Sequence, residues 1–248
     1  MQVDYTFSIC TGAFILAEIG VLDNLEATTH TAGIDILEKN YPELGAMIER
    51  IGSTQIRNTG TLGGNIGNAS PIGDMPPALI ALGAKVTLQR GEEKREVILD
   101  DFFTGYKQTL LKPSEFIREI IIPKAINNRE LKVYKISKRF DDDISAVLVA
   151  LSIEIKNNEI IYVTMAFGGM AAIPKRAKHC ESALLNQSFS QKTFDSAKDA
   201  LKKDFKPMSD VRASADYRMK VAQNILQRFY LEMLDDAKSS SKRVADYA

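Results

Sequence analysis

Residues 56–74 read IRNTGTLGGNIGNASPIGD, and six of the chain's 15 glycines fall between Gly52 and Gly73. A segment so poor in side chains has little with which to build a core. It serves either as a connection or as backbone brought close to something else. Its only charges are Arg57 at the start and Asp74 at the end. Gly60, Gly63 and Gly64 permit close approach and can turn several N–H groups towards one point. Thr59, Thr61, Asn65 and Ser70 add short donors and acceptors. That combination points to an anionic or polyhydroxy ligand, and the lone acid, Asp74, suits sugar-type hydroxyls better than phosphate. Neither G-x-x-x-x-G-K-[ST] nor G-x-G-x-x-G occurs. Composition alone leaves open a glycine-rich connection that binds nothing.

The 248 residues allow one large domain or two small ones. Formal net charge is zero, so nothing in the bulk charge points to nucleic acid or an anionic membrane. The uncharged stretch Phe7 to Ala17 follows Asp4 rather than basic residues. No apolar run reaches the ~20 residues of a membrane span, so neither a leader nor a membrane segment is expected. Cys10 and Cys180 make no disulfide framework and cannot by themselves ligate an iron–sulfur cluster. With only His30 and His179 besides, no metal centre is expected, and a reducing cytoplasm is.

Periodicity predicts a strand at Tyr5 to Cys10, a helix near Ile15 to Leu25, and a helix restarted at Pro42 with Leu44, Met47, Ile48 and Ile51 at helical spacing. The glycine segment reads as a loop. A short helix, a turn at Gly83 and a strand at Lys85 to Gln89 follow, and REVILDDFF and EFIREIIIP carry further strand signal. The polar KAINNRE at 124–130 is the best boundary, separating 1–124 from 130–237, with a frayed tail at 238–248. Beyond it KVYKISKR reads as a strand. VLVALSIEIK and EIIYVTMAFGG read as a hairpin about Asn157-Asn158, a pair that accepts positive φ. Helices are expected at Lys178 to Leu185, Thr193 to Lys203 and Ala213 to Ala237. In the last, Val221, Ile225, Phe229 and Met233, widened by Leu226 and Leu234, form an apolar stripe. The fold class is α+β in two parts.

With these residues in view, the chain resembles a known family. STQIRNTGTLGGNIGNASPIGDMPPALIALGAKVTL is similar to the FAD-binding subunit or domain of molybdenum hydroxylases. YKISKRFDDDISAV and AFGGMAAIPKRA resemble that family's following C-terminal domain, and SDVRASADYRM fits the entry to its last helix. The motifs stand in order along nearly the whole chain and most resemble the FAD-binding small subunit of bacterial xanthine dehydrogenases. The resemblance implies an incomplete PCMH-type FAD-binding domain over 1–124. Over 130–237 it implies a small antiparallel sheet plus helices, like the CO dehydrogenase flavoprotein C-terminal domain. It further implies an electron-transfer subunit whose FAD takes electrons from iron–sulfur clusters and passes them to NAD. Substrate is oxidised at a molybdenum cofactor on a partner subunit. The polypeptide then positions and tunes its cofactor, and no residue is assigned a catalytic role.

Carried over residue by residue, the resemblance sets Thr61, Leu62, Gly63, Gly64 and Asn65 against the ribityl and diphosphate part of FAD, with Ser70 and Asp74 as further polar contacts. Ile51 takes the position over the flavin ring, where some relatives carry an aromatic, so stacking is weaker here. Ile117 matches an apolar contact on the adjoining strand. Lys135 matches a lysine near the flavin, whose ammonium would favour the reduced, anion-like form. Asp141-Asp142-Asp143 matches an acidic loop on the nicotinamide side, with a solvated turn as the other reading. FGGMA at 167–171 serves packing. The cysteine-rich iron–sulfur region and the first FAD subdomain are not in the sequence, so the chain is expected to need a partner and to hold FAD poorly alone. Two other readings stay open: the flavin subunit of an aldehyde, carbon monoxide or aromatic-CoA enzyme, and a truncated assembly module without redox function.

Overall fold

The computed structural model describes residues 6–7, 39, 41–139 and 143–235. The helix expected near Ile15 to Leu25, most of the first strand, Asp141, Asp142, Cys10, His30 and the tail at 238–248 lie outside these residues.

Proline opens α1 (Pro42–Ile48), where the missing amide would have had no helical partner, and Leu44, Met47 and Ile48 are buried. The glycine segment departs from its reading as a loop. It forms two short helices, α2 (Thr54–Thr59) and α3 (Leu62–Gly67). Each is started by a hydroxyl: Ser53 Oγ accepts from the Ile56 amide at 3.4 Å and Thr61 Oγ1 from the Gly64 amide at 3.2 Å. These caps offset the poor helix propensity of glycine. At the junction, a β-carbon on Gly60 would stand 2.8 Å from the Ile56 carbonyl oxygen, which leaves room only for glycine.

Next come α4 (Met75–Ala81), buried along its whole length, and the hairpin β2 (Lys85–Arg90) and β3 (Glu93–Ile98). REVILDDFF does not continue as one strand. After Ile98 the chain turns through α5 (Leu99–Phe102), whose Leu99 and Phe102 point into the core, into β4 (Phe103–Gly105). β5 (Gln108–Thr109) pairs with β4, and β6 (Phe116–Ile121) returns to the main sheet. With β1 (Thr6–Phe7) the order is β1-β6-β2-β3, antiparallel throughout.

The second sheet, β10-β9-β8-β7, is also antiparallel. It comprises β7 (Arg129–Ile136), β8 (Val147–Lys156), β9 (Glu159–Gly168) and β10 (Lys175–Arg176). Asn157 and Asn158 make the expected hairpin turn with φ of 50° and 62°. β8 reads as an unbroken apolar run because both of its faces are covered. Leu148 and Ala150 join the core of the first part, while Val147, Val149 and Leu151 face α6 (Lys178–Leu184), α7 (Gln191–Asp204) and α8 (Ala215–Asp235). Each of these valine and leucine side chains contributes about 1.5–3 kcal/mol through burial. On α8, Ile225, Leu226 and Phe229 are buried as the stripe predicts, but Leu234 is exposed, and Arg218 with Ala222 extends the buried face instead. No helix among the described residues is long and apolar enough to cross a membrane.

Candidate functional site

The two parts meet where α4 packs on β8 and β9. β7 carries Leu131 and Val133 on the face turned to the first part, so the two-residue repeat sends Lys135 the same way. It meets Asp74, the residue that precedes α4. A carboxylate there ordinarily accepts from the amides two and three residues on. Those residues are Pro76 and Pro77, which have no N–H, and Asp74 makes no cap bond.

Its oxygens instead cross the seam. Oδ2 accepts from Lys135 Nζ at 2.8 Å and Oδ1 from Ser145 Oγ at 2.5 Å. Lys135 Nζ also donates to the Arg50 carbonyl at 2.7 Å, beside Ile51. The two charged side chains are only 2% and 7% exposed, a depth that an ion pair tolerates when further hydrogen bonds satisfy both members. Lys135 is therefore a matched cation, not a free one.

Around this pair the backbones approach closely. The Gly169 amide donates to the Pro71 carbonyl at 2.7 Å, and a β-carbon on Gly168 would stand 3.2 Å from Pro77 Cγ. The glycines of FGGMA thus let sheet and α4 meet, as the sequence suggests.

Thr61 answers two of the first-turn amides of α3, those of Gly64 and Asn65. The amides of Leu62 and Gly63 precede the first internal helical bond and have no partner among the described residues. Asn65 Oδ1 is buried without a partner among the described residues. The loop after α3 folds against it, since a β-carbon on Gly73 would stand 3.4 Å from that oxygen. Ser70 Oγ accepts from the Ile72 amide at 3.4 Å. Ile117 is buried on β6 beneath α3, with a methyl 3.6 Å from where a Gly67 β-carbon would be. Ile51 and Leu62 are partly buried against the same core.

The structure therefore draws Ile51, the α3 segment, Asp74 and Lys135 to one seam. It adds Ser145 and the Arg50 carbonyl, which sequence reasoning did not single out. The consecutive prolines after Asp74 were the available signal that its carboxylate had to look elsewhere. Nearby, Asp143, the described member of the acidic run, is held below the usual carboxylate range by its hydrogen bond from Arg139.

Residues 24–125 match the family described as FAD binding domain in molybdopterin dehydrogenase, and residues 132–233 match the CO dehydrogenase flavoprotein C-terminal domain. Xanthine dehydrogenase of Emericella nidulans is 34% identical over 191 residues, covering 75% of this chain but 14% of that protein. The glyceraldehyde dehydrogenase medium chain of Sulfolobus acidocaldarius is 32% identical over 199 residues, covering 80% of this chain and 70% of that one. A structure of carbon monoxide dehydrogenase from Hydrogenophaga pseudoflava, 28% identical, superposes with a TM-score of 0.76 over 81% of this chain and 70% of that chain. Quinoline 2-oxidoreductase from Pseudomonas putida 86, at 21% identity, shares the fold with a TM-score of 0.76 over 93% of this chain and 90% of its own.

Proposed function

The chain belongs to the FAD-binding subunit family of molybdenum hydroxylases, and from that premise we propose that it carries FAD at the seam between its two parts, as the electron-transfer subunit of a xanthine-dehydrogenase-type enzyme. When bound, FAD supplies the redox chemistry, accepting electrons from iron–sulfur clusters and passing them to NAD. The observation that carries the reading is the uncharged donor and acceptor set of α3 beside the cross-seam pair. The amides of Leu62 and Gly63 suit phosphate oxygens. The unpartnered Asn65 Oδ1 suits a ribityl hydroxyl, and Ser70 adds a hydroxyl of its own. Ile51 and Ile117 contribute apolar surface.

Asp74 and Lys135 hold the loop after α3 at a fixed distance from β7, and Lys135 keeps one further N–H beyond those given to Asp74 and Arg50. The partners proposed are a molybdenum-cofactor subunit and an iron–sulfur subunit or region. A cytoplasmic location is proposed on the free Cys180 thiol.

A second reading keeps the flavin role and changes the enzyme to one that oxidises an aldehyde or carbon monoxide. It is favoured by the glyceraldehyde dehydrogenase medium chain, of which this chain covers 70%. Co-expression with the neighbouring subunits tests both. Stoichiometric flavin absorbance with NADH-dependent dye reduction is the expected result, and the substrate turned over by the complex chooses between the readings. A stable complex without flavin would refute the proposal.

A further inference from the structure

We propose that Arg218, on α8, is a positioning residue for this seam: it clasps the two turns that hold the loop at 71–74, and so sets the Asp74–Lys135 pair. The inference rests on the flavin reading only for its meaning at the cofactor. The geometry stands by itself.

Arg218 occupies a stripe position on α8 with a side chain 2% exposed, where an apolar residue would fill the space with no charge to satisfy. A guanidinium persists at such depth when its fork is answered; here both terminal nitrogens donate, while Nε is buried without a partner among the described residues. Nη2 donates to Asp210 Oδ1 at 2.6 Å. Nη1 donates to the Ala146 carbonyl and, at 3.0 Å, to the Gly169 carbonyl.

Each carbonyl belongs to a turn that touches the 71–74 loop. Ala146 follows Ser145, whose hydroxyl donates to Asp74. Gly169 gives its own amide to Pro71. One side chain therefore draws together two attachments that converge on Pro71 and Asp74, the two ends of the same loop.

The approach of the two turns is close enough to require glycine. Gly169 has φ of +78°, and a β-carbon there would overlap the Ala146 carbonyl and stand 2.9 Å from Arg218 Nη1. The counter-charge is itself well held: Asp210 Oδ1 also accepts from the Arg212 and Ala213 amides at 2.8 and 3.0 Å. Although desolvation pushes its carboxyl up, those amides and Arg218 together hold it down to about 2.

Two conservative variants of the full chain test the relay, chosen because Arg218→Met strands two carbonyl acceptors at once and would confound folding with positioning. Asp210→Asn keeps the oxygen that accepts from the amides and removes the charge facing Arg218. Arg218→Lys keeps a cation and removes the fork. Without cofactor, hydrogen exchange should quicken about tenfold at the Ala146 and Gly169 amides, as for a lost charge-assisted hydrogen bond, and stay unchanged at Val86 in β2. The nitrogen resonance of the Lys135 ammonium should move or broaden in both variants. In a fluorescence titration with FAD, Kd should rise about tenfold by the same reasoning.

Unchanged exchange at Ala146 and Gly169 with an unmoved Lys135 resonance would overturn the proposal, as would equal acceleration at Val86. If the wild-type chain in complex with its neighbouring subunits binds no FAD, the flavin reading fails, while the exchange and resonance results still decide the role of Arg218.

Discussion

Replacing Lys135 by methionine tests whether the seam is held by charge. The substitution keeps most of the side-chain volume and strands the Asp74 carboxylate, whose side chain is 7% exposed. Ser145 remains as a partner, and the prolines that follow Asp74 can supply no amide in place of the ammonium. A buried charge deprived of its counter-ion costs about 3–5 kcal/mol. That is a large part of the roughly 5–15 kcal/mol by which a domain is stable. Asp74→Asn in the same chain removes the stranded charge, so the double variant should regain much of the loss, with a coupling of about 2 kcal/mol within the range for contacting residues. Urea unfolding followed by far-ultraviolet circular dichroism and tyrosine emission reads both quantities, since the chain has no tryptophan. A loss in Lys135→Met below about 1 kcal/mol, the range of a surface pair, or strict additivity in the double variant, would refute the reasoning.

Gly169→Ala should cost about 2–5 kcal/mol, adding overpacking to left-handed strain, whereas Gly83→Ala, with φ of +75° and open space around it, should cost only about 1–2 kcal/mol; thermal unfolding compares the two. Thr61→Ala should lose about 1 kcal/mol with the cap of α3 and weaken FAD binding in a fluorescence titration, while Thr61→Ser should keep both. The Glu115 carboxyl is lowered to about 2, chiefly by its hydrogen bond from Arg95. A carboxyl depressed on folding stabilises above its ordinary value of 4.5, and that benefit is lost as pH falls through about 2. Thermal midpoints of Glu115→Gln should therefore vary less across this window than those of the parent; equal slopes would count against the pair.

Local signals carried much of the architecture. Asn157-Asn158 marked its hairpin, Pro42 marked a helix start, and the α8 spacing found Ile225 and Phe229 because periodicity and turn chemistry act over a few residues. The α3 helix was hidden because glycine disfavours helix, although Ser53 and Thr61 were in place as caps. REVILDDFF misled because Leu99 and Phe102 are apolar on a helical turn as readily as on a strand. At the site, the residues carried by motif do gather, but the pairing of Asp74 with Lys135 joins positions 61 apart, and no local pattern encodes it. Arg218 was hidden for the same reason, since the two carbonyls it clasps lie 49 and 72 residues away.

The double burial of β8 bears on how the molecule can be handled. The polar stretch at 124–130 invites an expression boundary, yet a fragment beginning there would bare Leu148, Ala150 and Ala166, a water-shy sheet face with nothing to lie against. Such a fragment should clump or require detergent. The halves of this chain lean on one another in solution, and a swap between relatives would have to carry α4 along with the sheet it roofs.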